Sequence, residues 1–385
     1  MSNYLSEFQK KEALELLINT INITTVNPVG NEKILADFIA SYLSDVGCLV
    51  EVHEFQTGRA NVFASIKGSE SGNALMLNGH LDTVPFGSLD GWTNPPDKAF
   101  IKDDMLYGRG SSDMKGGLCA ALYAFKSFAL EKILPQNDII FLGTADEEFL
   151  GLGAQVALEK GIMADVGKLI IGEPTGNSIA VASKGTLWLE ITVIGKTSHG
   201  AYPWEGLNSA EISFKLIEEI KNIFGNEGHK YLSKPTCTLT KINAGVKSNM
   251  VPDICKLTLD IRTIPSTNHK RYLNNVDKII REFENNYEGL EISYSVLNDR
   301  MAVEIDSQHI LVKSLSNSIK DVCKTEPDLI GTNFFSDASI FLRKYDIPTV
   351  LFGPGESSEA HKPNEKLSLK EYFKSIECYY NFLKR

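Results

Sequence analysis

Four apolar runs in this chain of 385 residues stop abruptly at residues that bind metals. ALMLNGHLD ends in His80 and Asp82, DIIFLGTADEE in Glu147 and Glu148, and KLIIGEPTG leads into Glu173. PTVLFGPGESSEAH reaches His361 after a Gly-rich loop. A short apolar run bounded by turn residues reads as a buried strand. In an open α/β sheet, sites form just beyond the carboxyl ends of the strands, so architecture alone brings the four clusters together. Taken singly, an acidic pair is usually a solvated loop and a histidine usually structural. Charge placed directly after a buried strand is costly unless it is used, and the combination is specific where no single piece is.

The rest of the pattern supports such a sheet. Ile34, Leu35, Phe38, Ile39, Tyr42 and Leu43 recur at helical spacing, and Cys119–Leu130 is an apolar helix. Strands are expected at 61–66, 74–77, 138–142 and 168–171. Alternation of this kind predicts an α/β domain, a mixed and mostly parallel sheet sandwiched by helices. The middle differs. Strand 186–193, helix 209–223, strands 236–242 and 256–261, helix 270–283 and strand 290–296 run β-α-β-β-α-β, the ferredoxin-like order. An inserted α+β domain is therefore expected at 180–294, within a first domain formed by 1–179 plus 295–385. That first domain resumes with helix 310–323, strand 349–352 and a closing helix 370–383.

Composition excludes several classes. Hydrophobic residues make up 43% and charged residues 23%, which argues for a globular protein rather than a disordered or fibrous one. A net charge of −10 disfavours nucleic acid and anionic membranes as partners. No signal peptide and no run of the ~20 apolar residues needed for a membrane span is visible. The six cysteines, at 48, 119, 237, 255, 323 and 378, form no CxxC pair. They read as reduced thiols, and the expected location is the cytoplasm.

The ligand spacing carries chemistry. His80 and Asp82 stand two apart, so on a strand they share a face. A carboxylate beside a ligating imidazole fixes its tautomer and raises its basicity. Glu147 and Glu148 are adjacent and cannot point the same way in regular structure, so one can bind metal while the other holds a water. A fifth piece, GRGSSDMKGG, puts Asp113 just before Gly116, Gly117 and the apolar helix, where an Asp also makes a fair N-cap. Two histidines and three carboxylates suffice for two metals sharing one carboxylate. Such a pair, ~3.5–4 Å apart, can polarise a carbonyl and acidify a water.

These pieces resemble the co-catalytic dizinc family that includes acetylornithine deacetylase, succinyl-diaminopimelate desuccinylase, aminoacylase-1, glutamate carboxypeptidase and several dipeptidases. The resemblance rests on GHLDTVP (79–85), GRGSSDMKGG (108–117), TADEE (144–148), GEPT (172–175) and AHKPNE (360–365), spread along nearly the whole chain. It implies a zinc-exopeptidase-like catalytic domain with a ferredoxin-like lid and dimerisation domain. It also implies two Zn2+ ions, for which Co2+ or Mn2+ can substitute. His80 and Glu173 would hold one metal, Glu148 and His361 the other, and Asp113 would bridge them and precede a cis peptide bond. Glu147 would be the general base and Asp82 the orienting carboxylate. His199, in SHGAYP, would stabilise the oxyanion in a partner's active site. Asn249 in NMVP and Arg262 in LDIRT would bind a substrate carboxylate.

The expected function is metal-dependent hydrolysis of an amide bond in a small N-acyl amino acid by a homodimer joined through the lid. A dipeptidase or carboxypeptidase on the same metals is the first alternative, and a non-catalytic binding member of the fold the second. Desuccinylases often carry an Arg after a Ser-Asp-Gly or Ser-Asp-Ala turn, whereas here Ser339 follows Ser336, Asp337 and Ala338. A two-metal phosphatase would want more cations near the metals, and only Arg109 and Lys115 are adjacent in sequence.

Overall fold

The computed structural model describes residues 5–224 and 228–385. The chain divides into two compact units. The first comprises residues up to Ala182, Glu304–Ile330 and Ser336–Arg385; the second comprises Ser183–Val303 and Gly331–Phe335. The division lies later than the expected 180–294 because the last strand of the second unit runs on to Arg300. The short return segment 331–335 also joins that unit.

In the first unit the main sheet runs Leu49–Gln56, Arg59–Ile66, Asn137–Thr144, Glu70–His80, Val166–Ile171, Thr349–Leu351 and Ile179–Ser183. Its four central strands, from Asn137–Thr144 to Thr349–Leu351, are mutually parallel. They are the four apolar runs singled out by their ligand-bearing ends. Buried on both faces, they read as continuous Leu, Ile, Val and Phe runs rather than as alternating ones. The flanking strands are antiparallel.

Helix Lys115–Leu130 is buried along almost its whole length. It packs on strand Glu70–His80 beneath helices Glu7–Asn22 and Leu369–Leu383. Each Leu or Phe removed from water in that layer contributes roughly 1.5–3 kcal/mol. Gly117 allows the closest approach, since a Cβ there would lie 1.7 Å from the carbonyl oxygen of Gly172. Helix start and strand end are thereby brought together, with Asp113 beside one and Glu173 beside the other.

The N-terminal helix Glu7–Asn22 opens with a capping box between Ser6 and Gln9. A small antiparallel sheet of Phe100–Lys102, Met105–Tyr107 and Lys366–Ser368 borders the 108–114 loop. Gly108 N donates to the Glu365 carbonyl there, at 3.0 Å.

The second unit is a four-stranded antiparallel sheet ordered Thr236–Ala244, Ile254–Thr263, Gly185–Ile194 and Glu291–Arg300. This is the ferredoxin-like arrangement. Helices Ser209–Asn222 and His269–Asn286, capped by Asn208 and Asn268, cover one face. Leu187, Leu189, Ile191, Val193, Leu257 and Leu259 form the core beneath them. The residues alternating with them, among them Glu190, Thr192, Lys256, Thr258 and Asp260, are mostly polar and less buried, the period-2 pattern of a half-buried sheet.

Candidate metal centre

Asp113 stands at the middle of the cluster. One carboxylate oxygen lies 3.2 Å from His80 Nε2 and the other 3.2 Å from His361 Nε2. His361 Nε2 is also 3.2 Å from Glu148. Ligand atoms of His80, Asp113 and Glu148 all fall within 4.8 Å of one another. The Asp113–Met114 peptide bond is cis, as the resemblance implied. Glu173 and Glu147 are buried too, at 3% and 5% exposure, and Glu173 feels the charges of Asp113, His80, Glu147 and Glu148.

The electrostatics follow from crowding carboxylates out of water. Burial, then the charge on Asp113, pushes the Glu173 carboxyl well above the ordinary range. The same causes raise Glu148. Burial opposes charge on Asp113 too, but hydrogen bonds from His361 and His80 more than offset it and hold its carboxyl low. Burial likewise disfavours a charged His80, yet the Asp113 hydrogen bond and the neighbouring carboxylates drive its pKa well up. Hydrogen bonds to Asp113 and Glu148 push His361 up to about 10. Protons here compensate a negative charge that a divalent cation can compensate instead. The donor set, imidazole nitrogen and carboxylate oxygen, suits a divalent transition metal, zinc among them.

Supporting contacts aim these groups. His80 Nδ1 lies 2.9 Å from the Asp82 carbonyl and 3.7 Å from its carboxylate. The nearer acceptor is therefore the backbone rather than the side chain expected to orient the ring. The Asp82 carboxylate instead accepts the backbone N–H groups of Glu147 and Glu148, at 3.0 and 3.1 Å. Those bonds fix the direction of the two adjacent glutamates.

Glu365, within AHKPNE but given no role from sequence, is buried and accepts the N–H groups of Ser112 and Asp113 at 2.9 and 3.0 Å. Its other oxygen pairs with Arg109 Nη1 at 2.7 Å. Arg109 also donates to the carbonyls of Pro85 and Lys362. Lys115 donates to the carbonyls of Thr20 and Ile23, and burial lowers its ammonium to about 8. Both cations are thus engaged by protein oxygens, which removes the support they offered a phosphatase.

The remaining expected site residues lie in the second unit. His199 and Asn249 are exposed and sit on neighbouring segments: Gly200 N donates to Asn249 O, and Val251 N to Ser198 O. His199 Nδ1 accepts the N–H of Ala201 at 3.1 Å. Arg262 forks onto Asp260 at 2.9 and 3.0 Å and lies over the Phe335 ring. Histidines outside the motifs have local structural partners. His269 joins Asp299 and Thr263, His53 pairs with Glu51, and His309 caps helix Ile310–Cys323.

A parallel sheet whose strand ends gather histidine and carboxylates around one shared aspartate defines a metallohydrolase. The chain belongs to peptidase family M20/M25/M40, whose pattern matches residues 76–385. A relative in Staphylococcus aureus, named "Probable succinyl-diaminopimelate desuccinylase", is 31% identical, with 97% of each chain covered. The M20 family metallo-carboxypeptidase Sso-CP2 of Sulfolobus solfataricus shares the fold at a TM-score of 0.80 and 22% identity, covering 97% of this chain and 98% of that one. The aminopeptidase PepT of Bacillus cereus does so at 0.80 and 18%, with the same coverage. Among the described residues no helix is long and apolar enough to cross a membrane.

Proposed function

We propose that the protein hydrolyses the amide bond of a small N-acyl amino acid, with two zinc ions held by His80, Asp113, Glu148, Glu173 and His361. The observation that carries this reading is Asp113 facing both histidines, with one oxygen toward each. His80 and Glu173 would hold one metal, and Glu148 and His361 the other. When bound, the two metals polarise the scissile carbonyl and acidify a water.

The protein's own groups supply the rest. Glu147 takes a proton from the attacking water and returns it to the leaving amine, the usual double role of one carboxyl. Asp82 holds the backbone of both glutamates, while its carbonyl accepts His80 Nδ1–H and leaves Nε2 free to bind metal. His199 donates to the developing oxyanion. Arg262 and Asn249 bind the substrate carboxylate. Asp260 takes two N–H bonds from Arg262, and a guanidinium has five, so donors remain for the substrate.

The second unit serves as lid and dimerisation domain of a homodimer. Strand Thr236–Ala244 supports this role, because it lies at the edge of its sheet and is exposed at most of its positions. Such an edge is a template for pairing. A deacylase is favoured over a dipeptidase or carboxypeptidase by the name of the 31% identical relative, whereas Ser339 weighs against diaminopimelate as the amine.

The test is a panel of N-acetyl and N-succinyl amino acids and dipeptides, offered to protein loaded with zinc, cobalt or manganese. Amine release from an N-acyl amino acid, at a kcat/KM above that for any dipeptide, is expected. The reverse order makes the protein a dipeptidase, and release from none overturns the reading.

A further inference from the structure

Outside the metal centre, a buried brace reaches the turn that carries Glu147 and Glu148. Asp146 opens that turn, fully buried and at φ +68°. One of its oxygens accepts from Arg59 Nη2 at 2.9 Å and from Asn27 Nδ2 at 3.0 Å. The other accepts the N–H groups of Leu150 and Leu152, at 3.3 and 3.1 Å. Arg59 simultaneously forks onto Glu32, with contacts of 2.5 and 3.2 Å. Asn27 Nδ2 also donates to Asp82 at 2.8 Å. Asp82 in turn receives the N–H groups of Glu147 and Glu148. Asp82 thus grips the glutamate pair while Asp146 closes the turn that carries it, and Asn27 ties the two aspartates together.

The segment that supplies Asn27 and Glu32 is itself pinned to the strand end beside His80. Thr25 Oγ1 donates to the Leu81 carbonyl at 2.7 Å, Asn27 N to Thr83 O at 2.8 Å, and Thr83 N to Thr25 O at 3.0 Å. Gly30, at φ +87°, lets the chain pass the ion pair: a Cβ would lie 2.9 Å from a Glu32 oxygen and 3.1 Å from Arg59 Nε.

A buried ion pair contributes little net stability, because desolvation offsets its attraction. What it does supply is direction. Two adjacent side chains with different tasks must leave an irregular turn at fixed angles, and a misplacement near 1 Å can cost about 100-fold in rate. We propose that Arg59 and Asn27 are positioning residues: through Asp146 and Asp82 they hold the 146–148 turn so that Glu147 and Glu148 meet the metal centre correctly. The assignment of catalysis to Glu147 rests on the function proposed above; the brace itself does not.

The test uses Arg59→Lys, which keeps the charge but loses the fork, and Asn27→Ala, which leaves the ion pair intact. The second variant keeps the question open to test should the first fail to fold. Hydrogen exchange is read in metal-free protein by mass spectrometry, and kinetics in zinc-loaded protein well below its unfolding temperature. Amides in 146–152 should exchange about tenfold faster or more, with helix Lys115–Leu130 unchanged. kcat should fall at least about tenfold with KM held, read at saturating zinc because a displaced Glu148 also weakens metal binding. Unchanged exchange in 146–152 overturns the brace, as does full kcat in an active protein. Should the wild type hydrolyse no amide, the exchange result still decides the brace, and only the functional reading falls.

Discussion

On the proposed function, Asp113 and Glu147 divide the work of the site between holding and reacting. Asp113 is shared by two histidines, whereas the Glu147 backbone is tied to Asp82. Glu147→Gln should therefore keep both metals and lose about 100- to 10,000-fold in kcat; elemental analysis beside steady-state kinetics checks this, and loss of metal would move Glu147 into the ligand set. His361 yields a pH prediction. Its pKa in the metal-free protein is raised from 6.5 to about 10. It therefore contributes stability that is fully present below pH 6.5 and is lost as pH rises through about 10. A metal must expel that proton, so zinc binding at pH 8 should release protons and weaken as pH falls. Calorimetry in buffers of differing ionisation enthalpy reads the release, and a buffer-independent heat would contradict it.

The elements carry the site through two contacts that sequence spacing cannot show. Gly117 meets the backbone of Gly172, so Gly117→Ala should force helix Lys115–Leu130 off the sheet and cost about 3 kcal/mol or more; denaturant unfolding measures it, and an unchanged midpoint would mean the helix shifts freely. Glu365 holds the 108–114 loop from the far side. Glu365→Gln should lower metal affinity about 10- to 100-fold in a competitive chelator titration, with the fold kept by circular dichroism.

The four ligand-bearing strands were legible because both-face burial leaves uninterrupted apolar runs whose ends are sharp. Helix Glu7–Asn22 is less legible: its first turns are charged, and its buried stripe of Ala13, Leu16, Leu17, Thr20 and Ile21 begins only near its middle. Strand Leu49–Gln56 lies at the edge of the sheet with no residue fully buried, so no apolar run marks it. Glu365 was within a quoted motif, but its partners Arg109 and Ser112 lie over 250 positions away. Asn27 and Asp146 are 119 apart, and no periodicity links residues at that distance.

At the scale of the whole molecule, one chain supplies a parallel sheet that gathers ligands and a separate antiparallel sheet with an exposed edge. The first makes the protein a metallohydrolase of the M20/M25/M40 family; the second is where a partner copy is expected to pair. Charged substitutions in strand Thr236–Ala244, such as Ile242→Lys, should convert a dimer to a monomer in sedimentation equilibrium while leaving zinc content unchanged. A persistent dimer would place the contact elsewhere.

The central claim is a two-metal centre organised on Asp113, and zinc content per folded chain tests it most directly. Metal-free protein saturated with zinc and freed of excess should hold about two ions per chain, and Asp113→Ala should hold fewer while remaining folded. One ion or none in the wild type, or an Asp113→Ala variant that still holds both, would contradict the account.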